Sequence, residues 1–182
     1  MNREQLAHVV RAAGAILGVD HLVVIGSQAL LGSFPDEVLP EVATVSMEAD
    51  LIPPDDPDER WADLIDGSIG EGSLFHRQFG VYADGVSSTT ARLPEGWRAR
   101  LVPFRTPATG GVTAYCLQSA DLLVSKYLAG RPKDLKFCAA VIQANLVNPA
   151  VVRERLAATA ASDAERATAE SRLLRHTGAN NP

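Results

Sequence analysis

The sequence predicts an α/β (α+β) fold, a mixed sheet flanked by helices with a helical C-terminal lobe, on three observations. Apolar residues in the first part of the chain recur with both helical and strand periods. Short β-rich runs in the middle are punctuated by glycine and proline. From residue 118 onward the pattern is helical throughout. A chain of 182 residues has room for one compact domain, or for a core with a helical annex. The division expected is an α/β core over 1–116, a helical lobe packed on it over 117–177, and a frayed tail at 178–182.

Residues 4–17 place Leu6, Val9, Val10, Ala13, Ile16 and Leu17 at spacings of three and four, the stripe of an amphipathic helix. His21-Leu22-Val23-Val24-Ile25 is a β-branched run stopped by Gly26-Ser27, and helix-forming residues resume at Gln28. A proline-containing loop follows to Glu41. From Val45 to Ile52 apolar and polar residues alternate, predicting a strand that Pro53-Pro54 ends. Asp55-Asp56-Pro57-Asp58-Glu59 reads as a polar loop feeding a helix over 58–69. Short strands are expected near 79–83, 88–92, 99–103 and 113–116, antiparallel and meander-like. Helices are expected over 118–129, 132–145, 149–158 and 162–176, the last opened by the capping box Ser162-Asp163-Ala164-Glu165.

Hydrophobic residues make up 46% and charged residues 21% of the chain, so a packed core is expected and wholesale disorder is not. No apolar run approaches the roughly 18 residues a membrane helix needs, so no membrane partner is expected. The first twenty residues mix Arg3, Glu4, Arg11 and Asp20 into the apolar pattern without a secretory h-region. The expected compartment is the cytoplasm. A net charge of −5 argues against a protein whose main task is gripping long stretches of nucleic-acid backbone. Cys116 and Cys138 sit in apolar surroundings without metal-ligand spacing, and read as reduced core thiols.

The chemistry concentrates in two places. Glu48 and Asp50 occupy positions i and i+2 of the expected strand, so both carboxylates leave the same face. Two such acids can converge on one hard cation, and Mg2+ suits them because it takes oxygen ligands and bridges carboxylates to phosphates. The Gly26-Ser27 turn, between a strand end and a helix start, offers backbone N–H groups, a hydroxyl and a positive helix end to an anion. Together the two would hold a nucleoside triphosphate. Each also has a plainer role: Ser27 as a helix cap, and Glu48 and Asp50 as the wet face of a half-buried strand.

In order along the chain, Val23-Val24-Ile25-Gly26-Ser27 and then Glu48-Ala49-Asp50-Leu51 resemble the minimal nucleotidyltransferase-fold superfamily. Ser46-Met47-Glu48-Ala49-Asp50 is similar to the Ser-x-Asp-x-Asp segment of nucleotidyltransferases from abortive-infection and toxin–antitoxin systems. The run Asp121 to Asp134 is similar to their late helical motif, in which a lysine on one helix and an aspartate opening the next face the nucleotide. Gly70 to His76, Tyr82 to Val86 and Leu93 to Trp97 resemble an uncharacterised actinobacterial branch of the group. The resemblance covers roughly residues 20–140.

It implies a nucleotidyltransferase-like sheet and a Mg2+-dependent transfer of a nucleoside monophosphate from an NTP to a hydroxyl acceptor. A tRNA 3′ end is the acceptor of toxin-like relatives, which work against an antitoxin protein. Catalytic roles fall on Glu48, Asp50, Lys126 and Asp134, and substrate binding on Gly26, Ser27, Ser46, Arg131 and Lys133. The metal ligands are Glu48 and Asp50, joined by Asp84 as a third carboxylate that positions or deprotonates the acceptor. Lys126 would neutralise charge on departing pyrophosphate. Asp84-Gly85 is also an ordinary hairpin signal, and His76, Trp61, Trp97 and Phe104 read as packing residues. Glu48 stands where aspartate is commoner and Thr44 where toxin-like relatives carry arginine. These departures motivate the alternative of an inactive nucleotidyltransferase fold acting as nucleotide sensor or partner-binding subunit.

Overall fold

The structure, a computed structural model, describes residues 1–54, 56 and 58–178. The chain opens with α1 (Arg3–Leu17), whose first turn is closed by an Asn2–Gln5 capping box and whose end is Gly18 in the left-handed region. Its apolar stripe buries Leu6, Val9, Val10 and Ala13. β1 (His21–Ile25) follows, then a 3₁₀ turn (Ser27–Ala29), the single-turn helix α2 (Leu30–Ser33) and a second single turn, α3 (Glu41–Thr44). β2 (Glu48–Ile52), α4 (Arg60–Ile69), α5 (Leu74–Phe79) and β3 (Tyr82–Gly85) come next. β4 (Val102–Phe104) and β5 (Thr113–Cys116) complete the sheet, and α6 (Ser119–Ala129), α7 (Pro132–Gln143), α8 (Pro149–Ala157) and α9 (Asp163–His176) finish the chain. Of the expected tail, residues 179–182 lie outside the described residues.

The mixed α/β architecture agrees with the sequence. The strand order is β3-β2-β1-β5-β4. β1 runs antiparallel to β2 and parallel to β5, β2 runs parallel to β3, and β4 runs antiparallel to β5. The antiparallel meander expected for the later strands is therefore corrected: β3 and β5 both arrive by crossover and lie parallel to earlier strands. Residues 88–92 form a turn, because the Ser87 hydroxyl accepts from the Thr89 backbone N–H and competes with strand pairing. Between Gly67 and Gly85 the chain adds α5, whose signal was Ser73 accepting from the His76 N–H as an N-cap. At the head of α4, Asp56 accepts from the Trp61 and Ala62 N–H groups, as a polar loop feeding a helix should; Asp55 and Pro57 lie outside the described residues.

One apolar cluster runs from α1 through the sheet into the C-terminal helices, including Leu6, Leu22, Leu51, Leu123, Val141 and Leu173. Each fully buried leucine among them contributes about 2 kcal/mol. Cys116 and Cys138 are buried free thiols, as expected, and burial pushes both up to about 12. Phe104 and Trp97 pack as expected, whereas Trp61 is an exposed residue on α4.

The segment between β3 and β4 is strapped to the C-terminal helices. Arg92 donates to Glu165 at 2.7 Å, the Glu95 N–H donates to the Ala158 carbonyl at 2.9 Å, and Pro94 bridges Thr159. Asp121, completely buried at the start of α6, accepts from Arg100 Nε at 2.9 Å and lies 3.6 Å from Arg155 Nε. A buried carboxylate needs such partners, since desolvation of an unpaired charge is costly. No helix among the described residues is long and apolar enough to cross a membrane.

Candidate active site

Sheet register assembles the acidic cluster. β2 exposes Glu48 and Asp50 on one face while Ala49 and Leu51, on the other, are fully buried. The parallel pairing of β2 with β3 sets Asp50 opposite Asp84 and Glu48 opposite Tyr82. Each of Glu48, Asp50 and Asp84 brings an oxygen to within 4.8 Å of the others. Asp84 thus belongs to a strand and not to a hairpin turn. Its neighbour Gly85 serves a close approach, because a Cβ there would lie 2.3 Å from the Ala62 carbonyl of α4.

The antiparallel pairing of β1 with β2 adds the glycine turn. Ile25 is the register partner of Asp50, so the chain leaves β1 directly beside that carboxylate. Gly26 has φ +67°, and a Cβ on it would stand 1.7 Å from Asp50 Oδ2. Only glycine fits there, on both conformational and steric grounds. Ser27 opens the 3₁₀ turn and lines the same cleft. The helix expected after it is this 3₁₀ turn plus the one-turn α2, so a sizeable helix dipole is not part of the site. Buried Gln28 donates from Nε2 to the Ser46 carbonyl at 3.0 Å, pinning the segment before β2 to the turn. The Ser46 hydroxyl accepts from the Glu48 N–H at 3.3 Å.

The opposite wall is basic. Asp134, 1% exposed, accepts from Lys126 Nζ at 2.9 Å and from Arg131 Nε at 2.5 Å. Burial works to raise its pKa, but the hydrogen bonds from Arg131 and Lys126 outweigh burial and hold the carboxyl below its usual range. Lys126 also lies 4.6 Å from the centre of the Phe137 ring, a cation–π contact that helps fix the ammonium. Two cations share one anion here, and the surplus positive charge faces Asp50 across the cleft.

The acids on the other wall are short of compensation. Burial first, then the charges of Glu48 and Asp84, push Asp50 up to about 7, with Lys126 opposing. Burial, then Asp66 and Glu48, also raise Asp84. Like charges packed this closely favour protonation of one of them unless a cation intervenes. Three convergent carboxylates with no cationic side chain bonded to them among the described residues are the hard-oxygen set a divalent ion such as Mg2+ or Mn2+ prefers.

The cleft between these walls measures about 750 Å³ and is lined by every residue singled out in the sequence: Gly26, Ser27, Ser46, Glu48, Asp50, Asp84, Lys126, Arg131, Lys133 and Asp134. That volume suits a small organic ligand. Thr90, Arg92 and Phe137 also line it without having been singled out. Arg92 and Thr90 reach the cleft only because their segment is strapped to α8 and α9, a long-range event with no local signature. Tyr82 was missed as a functional residue although its place two positions before Asp84 carried a signal: its hydroxyl donates to Glu48 Oε2 at 3.1 Å. His76 packs against the Tyr82 ring at 4.6 Å, in keeping with a packing role.

A mixed sheet with a glycine turn after its first strand and carboxylates on two adjacent strands places the protein in the nucleotidyltransferase-fold class. The chain belongs to the family described as nucleotidyltransferase of unknown function (DUF6036), whose sequence profile matches residues 4–175. No curated protein and no solved structure matches the chain significantly.

Proposed function

We propose that the cleft binds an NTP with Mg2+ and transfers its nucleoside monophosphate to a hydroxyl acceptor. The observation that carries this is the meeting of Glu48, Asp50 and Asp84 beside Gly26, opposite Lys126 and Arg131, in one cleft. When bound, the metal supplies Lewis-acid stabilisation of the charge that develops on the phosphoryl oxygens. Glu48, Asp50 and Asp84 are its ligands. The turn at Gly26 and Ser27 receives phosphate oxygens, while Arg131 and Lys133 add positive charge along the same path and Ser46 borders the substrate. Lys126, aimed by Asp134, stabilises the leaving pyrophosphate; Asp134 is thereby a positioning residue.

In the reaction the acceptor oxygen attacks the α-phosphorus in line, the bond from that phosphorus to the bridging oxygen breaks, and pyrophosphate leaves with the electron pair. The hydroxyl proton passes to Asp84, whose carboxyl is raised above its ordinary range by burial and by the charges of Asp66 and Glu48. The acceptor that the family resemblance implies is a tRNA 3′ end, with an antitoxin as protein partner and the cytoplasm as the place of action.

The test is incubation of the protein with each α-labelled NTP, Mg2+ and either total RNA or lysate protein, repeated with Glu48→Ala and Asp50→Ala. Label transfer by the wild type and its loss in both variants supports the proposal. Transfer that survives both changes removes the carboxylates from the chemistry. NTP binding by calorimetry without any product favours the sensor alternative.

A further inference from the structure

We propose that Tyr82 is a positioning residue that locks the Glu48 carboxylate into the orientation a divalent cation needs, an inference that rests on the metal-binding role given to Glu48 above. The two residues are register partners on parallel strands, and the Tyr82 hydroxyl donates to Glu48 Oε2 at 3.1 Å. One hydrogen bond to Oε2 leaves the carboxylate's remaining lone pairs for a metal.

The need for a lock follows from the residue type. Glutamate has one more rotatable bond than aspartate, and more rotamer freedom to lose when it is fixed. It also stands within 4.8 Å of two other acids, whose repulsion drives an untethered side chain toward solvent. Tyr82 supplies the tether. A phenol is protonated throughout the neutral range, so it remains a donor to the carboxylate.

The tyrosine is itself held. His76 packs its ring 4.6 Å from that of Tyr82 at 45°. The His76 ring is fixed in turn by accepting from the Gly72 N–H at Nδ1, 3.0 Å away, and the His76 backbone N–H is capped by Ser73. The start of α5, a helix without a residue of its own in the cleft, thereby reaches the metal ligand through one stacked ring and one hydrogen bond. Partners that orient ligating carboxylates in this way govern metal affinity.

The experiment is Mn2+ titration of the full chain by electron paramagnetic resonance, without NTP, for wild type, Tyr82→Phe, Glu48→Asp, the double variant and Glu48→Ala. Tyr82→Phe keeps the ring and its stacking and removes only the hydroxyl. The expected result is an affinity about tenfold weaker, with a metal-free melting temperature unchanged. Tyr82→Phe is expected to add nothing in the Glu48→Asp background, where the shorter side chain no longer reaches the hydroxyl. Wild-type affinity in Tyr82→Phe, together with loss of binding in Glu48→Ala, overturns the lock alone. An equal loss in both backgrounds also overturns it, because the effect then runs through packing. Identical Mn2+ behaviour of wild type and Glu48→Ala overturns the metal role of Glu48 and the lock with it.

Discussion

Gly26 and Asp50 stand so close that a single methyl carbon on the glycine would overlap the aspartate, 1.7 Å from Oδ2. The end of β1 and the middle of β2 are therefore one structural unit, and what the turn holds is necessarily beside what the carboxylate holds. A Gly26→Ala change must move one or the other. It also places alanine at φ +67°, a conformation L-residues adopt only under strain. The variant is expected to lose roughly 1–3 kcal/mol of stability and to show none of the stabilisation by Mg2+ expected of the wild type. Thermal melts with and without Mg2+ check both.

Asp50 makes the metal-free protein pH-sensitive. Its carboxyl is raised from 3.8 to about 7 in the folded chain, so between those values the folded state binds more protons than the unfolded one. Stability therefore falls as pH rises through that window, and the contribution of protonated Asp50 is complete only below about 4. Asp50→Asn removes the part of the dependence that Asp50 carries, leaving the smaller part from Asp84. It is expected to be more stable than metal-free wild type at pH 8 by about 4 kcal/mol and equal to it near pH 4. Denaturant unfolding at the two pH values, in chelator, checks the sign. Since metal binding requires the carboxylate, the wild-type affinity for Mg2+ should also weaken as pH drops below about 7.

Asp134 and Lys126 should separate on substitution. Asp134→Asn leaves Lys126 and Arg131 without their shared buried anion, and is expected to cost about 2–4 kcal/mol of stability as well as transfer activity. Lys126→Met, retaining the apolar stem beside Phe137, should fold well and reduce the transfer rate about a hundredfold. Unfolding curves and single-turnover rates on the two variants check the contrast.

Asp121 provides the opposite control. It is buried and acidic and lies in the same helix as Lys126, but its carboxylate meets Arg100 and Arg155 away from the acidic cluster. Asp121→Asn is expected to destabilise the fold by about 3 kcal/mol while leaving Mn2+ affinity unchanged at a temperature where the variant is folded. Calorimetric titration of the metal checks this.

Much of this arrangement was legible in the sequence, for physical reasons that differ by element. α1 showed itself because a helix buried on one face must repeat its apolar residues every three to four positions, as Leu6, Val9, Val10 and Ala13 do. Glu48 and Asp50 could be placed on one face because strand periodicity is two. Their proximity to the Gly26 turn was inferred from order alone, and register brings Asp50 beside it. The pairing of strands was not legible, because β3 and β5 reach their partners over crossovers whose direction depends on packing distant in sequence. Asp84-Gly85 carries the same local signal in a hairpin and at a strand end, and the parallel pairing with β2 is what distinguishes them. Arg92 reached the cleft through contacts with residues some seventy positions away, which no local pattern encodes.

The most direct test of the account is a crystal structure of the protein with Mg2+ and a non-hydrolysable NTP. The result expected is a cation bound by Glu48, Asp50 and Asp84, with the triphosphate on the turn at Gly26 and Ser27 and within reach of Lys126. A nucleotide bound outside this cleft, or a cation held by other residues while these three carboxylates remain free of it, would contradict the account.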